Sequence, residues 1–467
     1  MEADFSFLST EMADSLNSSL VDVTRFTPDG IGAAGENGSA LCIPGTVPGD
    51  RVRIAPAQKK HHARLLEILT PSELRRETHC PYLLPEENRE ICGGCPWGML
   101  NAEAQEELKR ALLTDALVAY GLSVPAFEHV RADTLTHYRS KAAFYPLNTD
   151  GHWQWALYAA GSHSKVAITA CQALPEWMNE AAGRIAAFLE TTDLSAYDEL
   201  THSGLVRSLV MREGLTPDGR HCLVTLSLNA PAAQYTETFR PLTGMLAPLG
   251  VEVVTLNEHT ARGNALLGER EISLTPAARI ETEIGGSIFE VGATTFLQIH
   301  REQMLKLYGY AVSLAEIGRD DTVLDLYCGI GTMTLMSARS ARRAVGIDIV
   351  GASIDAARSN AARNSVTNAD FYAGPVEKVL PSLLVRGLRC EKVIVDPAYK
   401  GMHESVPAML SALKPSRLVY VSCNPKTFAR DAKALTGLGF QLSSVRTFDL
   451  FPDTAHVETV GLFLKQA

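Results

Sequence analysis

The chain has 467 residues, more than one typical core holds, so two or three domains are expected. Hydrophobic residues make up 46% and charged residues 21%, an ordinary globular composition, and the net charge of −10 argues against a protein that coats nucleic acid indiscriminately. No run approaches the roughly eighteen apolar residues of a membrane span, and the acidic, polar opening MEADFSFLSTEMADSLNSSL is unlike a signal peptide, so a cytoplasmic location is expected, with the nine cysteines serving as thiols, metal ligands or catalytic groups.

Residues 1–19 read as a disordered N-terminus. Residues 20–76 carry short alternating runs such as Val52-Arg53-Ile54 and Ala63-Arg64-Leu65, punctuated by the turn pairs Asp29-Gly30, Asn37-Gly38 and Pro48-Gly49. That pattern predicts a small, OB-like β-barrel. Its basic run, Arg51, Arg53, Lys59, Lys60, His61, His62 and Arg64, is either a charge-guarded edge or an electrostatic track for a phosphate backbone. Small barrels with a basic face are common oligonucleotide platforms, which favours RNA.

Residues 77–295 read as a central α+β domain that opens with a cysteine-bearing segment, 78–98. The periodicity predicts a helix over Ala102–Tyr120, stopped by Gly121, and another over Pro175–Thr191. Strands are expected at Ala142–Pro146, Trp155–Ala159, Leu205–Arg212, Cys222–Leu228, Val251–Asn257 and Ser287–Val291. Arg131, Arg139 and Lys141 form a second basic group there. From 296 to 467 short Val/Ile/Leu-rich strands alternate with helices: Thr322–Leu326, Arg343–Ile347, Asp370–Ala373, Lys392–Val395 and Leu418–Val421, with helices over Ala352–Asn364 and Lys426–Thr436. This predicts a doubly wound, Rossmann-like parallel sheet. Gln441–Phe448 and Val457–Leu464 have no helix between them and predict a terminal antiparallel hairpin.

Asp325-Leu-Tyr-Cys-Gly-Ile-Gly331 follows an apolar strand and precedes a helix, where glycines let a ligand approach the backbone at the carboxyl edge of such a sheet. Asp348 ends the next strand, placed to accept ribose hydroxyls. A dinucleotide site would want a third glycine near Thr334, so S-adenosylmethionine is preferred over NAD. A tight structural turn explains the glycines but not Asp348.

Three further strand ends carry chemistry: Val395-Asp396-Pro397, Tyr420-Val-Ser-Cys423-Asn-Pro425 and Ala455-His-Val-Glu458. In this topology they should converge on the cofactor cleft. Cys423 lies in a polar turn ahead of a helix N-terminus, whose dipole favours a thiolate.

Ser-Cys423-Asn-Pro with the later His456-Val-Glu458 resembles the RNA uridine-5-methyltransferase family, and Phe296-Leu-Gln298 resembles that family's Phe-x-Gln signature. The barrel resembles its TRAM domain, and Cys80, Cys92, Cys95 and Cys171 resemble its iron–sulfur ligands. The match spans nearly everything beyond residue 20. The subgroup with both features mostly modifies 23S ribosomal RNA. The resemblance implies a class I methyltransferase domain over 296–467 that uses S-adenosylmethionine to methylate carbon 5 of a uridine in RNA, 23S rRNA ahead of tRNA. It makes Cys423 the nucleophile and Glu458 the base. Gln298, Tyr327, Gly329, Gly331, Thr332, Asp348 and Asp396 become cofactor residues, and Phe296, Gln298 and Asp396 substrate residues. His456 is either a site residue or a structural histidine.

The chemistry needs such residues. Carbon 5 of uracil is a poor nucleophile, and thiolate addition at carbon 6 makes it electron-rich. A positioned carboxylate must then remove the carbon-5 proton. The chain departs from the family in three places: Asp396-Pro-Ala-Tyr-Lys-Gly401 replaces Asp-Pro-Pro-Arg-x-Gly, His300 replaces an asparagine, and Pro375 stands where an acid or amide is usual.

Cys92-Gly-Gly-Cys95 alone is a redox pair, a metal half-site or a turn. With Cys80 and Cys171 it makes four thiols, which suit zinc or a 4Fe–4S cluster. The resemblance favours iron–sulfur, in a structural role. Cys42, Cys222, Cys328 and Cys390 read as packing residues. Two rivals remain: a non-catalytic RNA-binding or ribosome-assembly factor, which has no use for Cys423 and Glu458 together, and a protein or small-molecule methyltransferase, which needs no cysteine adduct.

Overall fold

The computed structural model describes residues 18–35, 40–59, 62–78, 80–86, 89–263 and 265–465. Of the expected disordered residues 1–19, those up to 17 lie outside the described residues, as do the Asn37-Gly38 turn, Lys60, His61 and the side chain of Lys59, whereas Ser19 already begins a strand, Ser19–Asp22, paired with residues 51–54. Among the described residues no helix is long and apolar enough to cross a membrane. The chain forms two compact units: Met1–Leu108 with Gln154–Gln172 and Phe451–Ala455, and Lys109–Trp153 with Ala173–Leu450 and His456–Ala467.

The first unit holds a six-stranded sheet in the order Ser19–Asp22, Arg51–Lys59, His62–Thr70, Leu41–Cys42, Gly32–Ala34, Arg25–Phe26. Alternation builds it: along His62–Thr70, Ala63 and Leu65 are buried while Arg64 and Glu67 are exposed. The inward residues join Val23, Ile43, Val52 and Ile54 in one core. Buried Asp50 ties the sheet to the segment that follows, accepting from the backbone of Val47 and Ser72 and pairing with Arg75 at 2.6 Å.

The second unit contains a sheet of Lys141–Thr149, Val206–Thr216, Gly219–Leu228, Val251–Glu258 and Arg270–Ser273, in that order. Helix Glu176–Glu190 buries Trp177, Met178, Ala181, Ile185 and Leu189, the three-and-four spacing of one helix face. Strands Arg270–Ser273 and Ile280–Ile284 were not expected: they are short and alternate with charged or polar residues, so no apolar run marks them.

The unit's larger sheet carries the site. Its strands are β1 (Glu128–Val130), β2 (Thr322–Leu326), β3 (Arg343–Asp348), β4 (Ala369–Ala373), β5 (Lys392–Val395), β6 (Arg417–Ser422), β7 (Phe440–Phe448) and β8 (Glu458–Lys465), in the order β4-β3-β2-β5-β6-β8-β7-β1. All five residues of β2 are buried, as for a central strand covered on both faces. Helices α1 (Arg301–Leu314), α2 (Thr332–Ala338), α3 (Gly351–Arg363), α4 (Val376–Val385), α5 (Val406–Leu413) and α6 (Pro425–Gly437) alternate with the strands. The expected terminal hairpin forms, with β8 inserted between β6 and β7 and antiparallel to both. β1 adds an unexpected eighth strand, parallel to β7. The strand order reverses between β2 and β5, and a doubly wound sheet opens its binding crevice beyond the strand ends there.

Candidate active site

β2 runs into the glycine turn, where the backbone is left-handed at Tyr327 (φ +65°), Gly329 (φ +54°) and Gly331 (φ +86°). A side chain at 331 would meet Phe371 at 3.0 Å and Ala357 at 3.1 Å, so both the φ and the close helix–sheet approach demand glycine. Tyr327 holds this conformation despite its Cβ, and its amide donates to Ile347 O at 2.8 Å. Asp348 clamps the turn, accepting from Gly329 N at 2.9 Å and Val350 N at 2.8 Å. Each of its oxygens keeps a second lone pair for a ligand hydroxyl. Thr332 opens α2 and is buried.

Thr334, where a dinucleotide site would have its third glycine, has a role no motif signalled. Its hydroxyl donates to Asp325 Oδ2 at 2.6 Å, while Asp325 Oδ1 is buried without a hydrogen-bond partner. Burial, then the Asp348 charge, pushes Asp325 up to about 7.

Register brings the other strand ends together. Val395 pairs with Tyr420 and Ser422 with Thr459, so Asp396, Cys423 and Glu458 lie at neighbouring rungs of adjacent strands β5, β6 and β8. The charges report the same proximity. Asp396 is pushed up to about 7 by burial and by Asp325. Glu458 is pushed up to about 8 by burial and by Asp396. Tyr308 of α1 is buried among them: burial and the charges of Asp396, Glu458 and Asp325 raise it well above the usual phenol range, and Gln298 hydrogen-bonds it. Nothing in the sequence pattern marked Tyr308, whose place depends on how α1 packs.

The thiol of Cys423 corrects an expectation. It does precede a helix, whose cap Asn424 accepts from Lys426 N at 3.0 Å, yet it is pushed up to about 12 rather than lowered. Burial is the main cause, followed by Glu458 and Asp396. Burial, helped by two neighbouring carboxylates, raises the thiol despite its place before a helix.

Among the described residues, the charges acting on Asp396 and Glu458 are those of other carboxylates. Buried acids without a counter-cation, together with the unpartnered Asp325 oxygen, fit a cationic ligand bound against the glycine turn.

Gln298 is buried, whereas Phe296, two residues earlier, is 74% exposed. His300 stacks on Tyr138 with ring centroids 4.7 Å apart. His456 is exposed. In the divergent Asp396–Gly401 loop, the carbonyl of Tyr399 accepts from Asn424 Nδ2 at 3.1 Å and that of Lys400 from Arg430 Nη2 at 3.0 Å. An arginine of α6 thus braces the loop from outside it. Pro375 caps α4. Cys222, Cys328 and Cys390 are buried as packing residues, and Cys42 is half-buried.

The four expected metal ligands all belong to the first unit. Their segments meet at Tyr82: its carbonyl accepts from Cys92 N at 2.9 Å, and its hydroxyl accepts from Thr169 N at 2.8 Å. Cys80 is raised by burial and, to a smaller degree, by Cys171. Among the described residues, however, no three His, Cys, Asp or Glu side chains are gathered as a metal-holding group. The loops converge; the thiols themselves are not assembled.

Strand order, glycine turn and carboxylate-lined crevice define a class I S-adenosylmethionine-dependent methyltransferase fold. The Pyrococcus abyssi tRNA (uracil-54, C5)-methyltransferase, solved with S-adenosyl-L-homocysteine, shares this fold at a TM-score of 0.72 and 24% identity, over 96% of this chain and 100% of its own. Residues 285–467 match the family profile described as tRNA (Uracil-5-)-methyltransferase. An uncharacterized RNA methyltransferase of Clostridium tetani is 30% identical over 93% of this chain and 94% of its own, and one of Gloeobacter violaceus is 35% identical over 94% and 95%. The chain belongs to the RNA uracil-5-methyltransferase family and is an RNA methyltransferase.

Proposed function

We propose that this enzyme methylates carbon 5 of one uridine in structured cytoplasmic RNA, 23S ribosomal RNA first, through a covalent adduct between Cys423 Sγ and carbon 6. The observation that carries the proposal is the convergence of Cys423, Glu458 and Asp396 at adjacent strand ends beside the glycine turn.

Tyr327, Gly329, Gly331, Thr332 and Asp348 would hold the cofactor's nucleoside, with Gln298 and Asp396 towards its sulfonium end or the uracil edge, and exposed Phe296 against the RNA. Bound there, S-adenosylmethionine supplies an electrophilic methyl group and a positive charge. With a cation beside Asp396 and Glu458, the Cys423 thiol releases its proton to solvent and Sγ adds to carbon 6, which makes carbon 5 a nucleophile. Once carbon 5 carries the methyl group, the Glu458 carboxylate takes its proton. The carbon 6–sulfur bond then breaks, its electron pair returns to Sγ, and the uracil double bond is restored.

Residues 20–76 act as the TRAM-like RNA grip, 77–295 as the central domain and 296–467 as the catalytic domain. Cys80, Cys92, Cys95 and Cys171 are the set for a 4Fe–4S cluster, with zinc as the alternative. The convergence of their loops on Tyr82 supports this, and binding requires the side chains to turn towards one another. No step of the reaction depends on the cluster. Transfer RNA is the second reading of the substrate, favoured by the description of the matched profile. Nucleoside mass spectrometry of separated ribosomal and transfer RNA, with and without the gene product, tests both. A 5-methyluridine lost from 23S rRNA is expected, one lost only from tRNA selects the second reading, and no change in either removes the proposal.

A further inference from the structure

The opposite edge of the catalytic sheet, where β2, β3 and β4 begin, holds a cavity of about 690 Å³ lined by Arg342, Arg343, Arg386 and Arg389. Asp370 is its one acidic lining residue. We propose that this groove binds the phosphate backbone of the RNA substrate, at a point remote from the target uridine. The proposal rests on the reading of the protein as an RNA methyltransferase of structured RNA and adds a second point of attachment to it.

The arginines come from separate segments on a rigid frame. Arg342 and Arg343 lead into β3, where Arg342 is fixed by Thr322 Oγ1 at 2.9 Å and Arg343 by Asp370 at 2.7 Å. Arg386 and Arg389 flank the cap that ends α4. Gly387, at φ +92°, donates to Leu384 O at 3.0 Å, and Leu388 N donates to Leu383 O at 3.0 Å. Leu383 and Leu388 are both buried in the main core of the unit. This hydrophobically pinned left-handed cap fixes the backbone from which the two exposed arginines project. Neither has an acidic partner among the described residues.

A helix C-terminus attracts one cation, which accounts for Arg386. With Arg343 paired to Asp370, it does not account for Arg342 and Arg389 around the same cavity, in a chain whose net charge is −10. Guanidinium forks match phosphate oxygens in geometry and charge, and Arg342, Arg386 and Arg389, which have no acidic partner among the described residues, suit a run of phosphates along an open groove.

The groove is not part of the cofactor crevice. β2, β3 and β4 are five or six residues long, so at about 3.3 Å per residue the two edges stand roughly 17–20 Å apart. An oligonucleotide of only a few nucleotides centred on the target uridine at Cys423 would not reach it, whereas a longer folded RNA would. The groove therefore selects for substrate size.

The test compares a short oligonucleotide centred on the target uridine with a long folded RNA that contains the same sequence, each titrated across a series of salt concentrations. Wild-type protein is set against Arg386→Gln/Arg389→Gln. The double variant should bind the long RNA about three- to tenfold more weakly, with the log–log salt slope shallower by about 0.7–0.9 for each phosphate that the variant no longer neutralises. Its binding of the short oligonucleotide, its S-adenosylhomocysteine affinity and its thermal midpoint should be unchanged. Equal affinity and slope on the long RNA overturns the groove, as does an equal loss on both RNAs. Competition by polyglutamate as strong as that by RNA also overturns it, in favour of an acidic protein. If wild-type protein transfers no methyl group to any RNA, the functional reading fails, while the salt response still reports on the groove.

Discussion

Asp396 and Glu458 stand at the ends of strands two apart in the catalytic sheet, with Cys423 ending the strand between them, and the charge of Asp396 helps to raise Glu458 to about 8. The Cys423 thiol thus lies between two acids that hold their protons strongly until something positive arrives.

Cys423→Ala should abolish methyl transfer while leaving cofactor affinity unchanged, as measured by calorimetry. Turnover by that variant would remove the covalent route. Glu458→Gln acts later: it should slow turnover about 10²- to 10⁴-fold and accumulate a protein–RNA adduct that survives denaturing gels. If no adduct forms at saturating cofactor, Glu458 is not the base.

The buried acids set a pH dependence. Asp325 and Asp396 rise from 3.8 to about 7 and Glu458 from 4.5 to about 8, so between those limits the folded protein binds more protons than the unfolded chain. Their contribution to the stability of the cofactor-free protein is present at low pH and is lost as pH rises through about 7 to 8. Thermal melts at several pH values should show this decline. A flat profile across that window would mean that the carboxylates have counter-charges in solution.

Cofactor charge should read the same groups. S-adenosylmethionine and S-adenosylhomocysteine differ in the positive sulfur, so the preference for the former should widen with pH as Asp396 and Glu458 ionise. The log ratio of affinities should climb with a slope approaching about one per pH unit. A constant ratio would separate the sulfonium from these carboxylates.

Protein purified without oxygen should contain iron with broad visible absorption that bleaches in air. Stoichiometric zinc instead would reject the cluster. Cys92→Ser should lower solubility and thermal midpoint more than it lowers the rate per folded molecule.

Gly331→Ala should cost about 1–2 kcal/mol of stability from backbone strain alone, with the crowding against Phe371 and Ala357 adding to it. Denaturant midpoints measure this, and an unshifted midpoint would show that the turn relaxes freely.

The alternation of strands and helices from Thr322 onwards, the glycine turn and the Cys423/Glu458 pair were legible without coordinates, because strand period, turn chemistry and motif spacing are local properties. So were most central strands, whose apolar runs are long. The insertion of β8 between β6 and β7, the added strand β1 and the placement of Tyr308 were not, since each depends on residues far apart in sequence coming together. The same reason explains Cys423. From the sequence, a cysteine before a helix has a lowered thiol, and only the fold supplies burial and two carboxylates that drive it the other way. The sequence supplied the candidate groups; their proton affinities came from the tertiary structure, because burial and through-space charge belong to the folded chain and not to any segment of it.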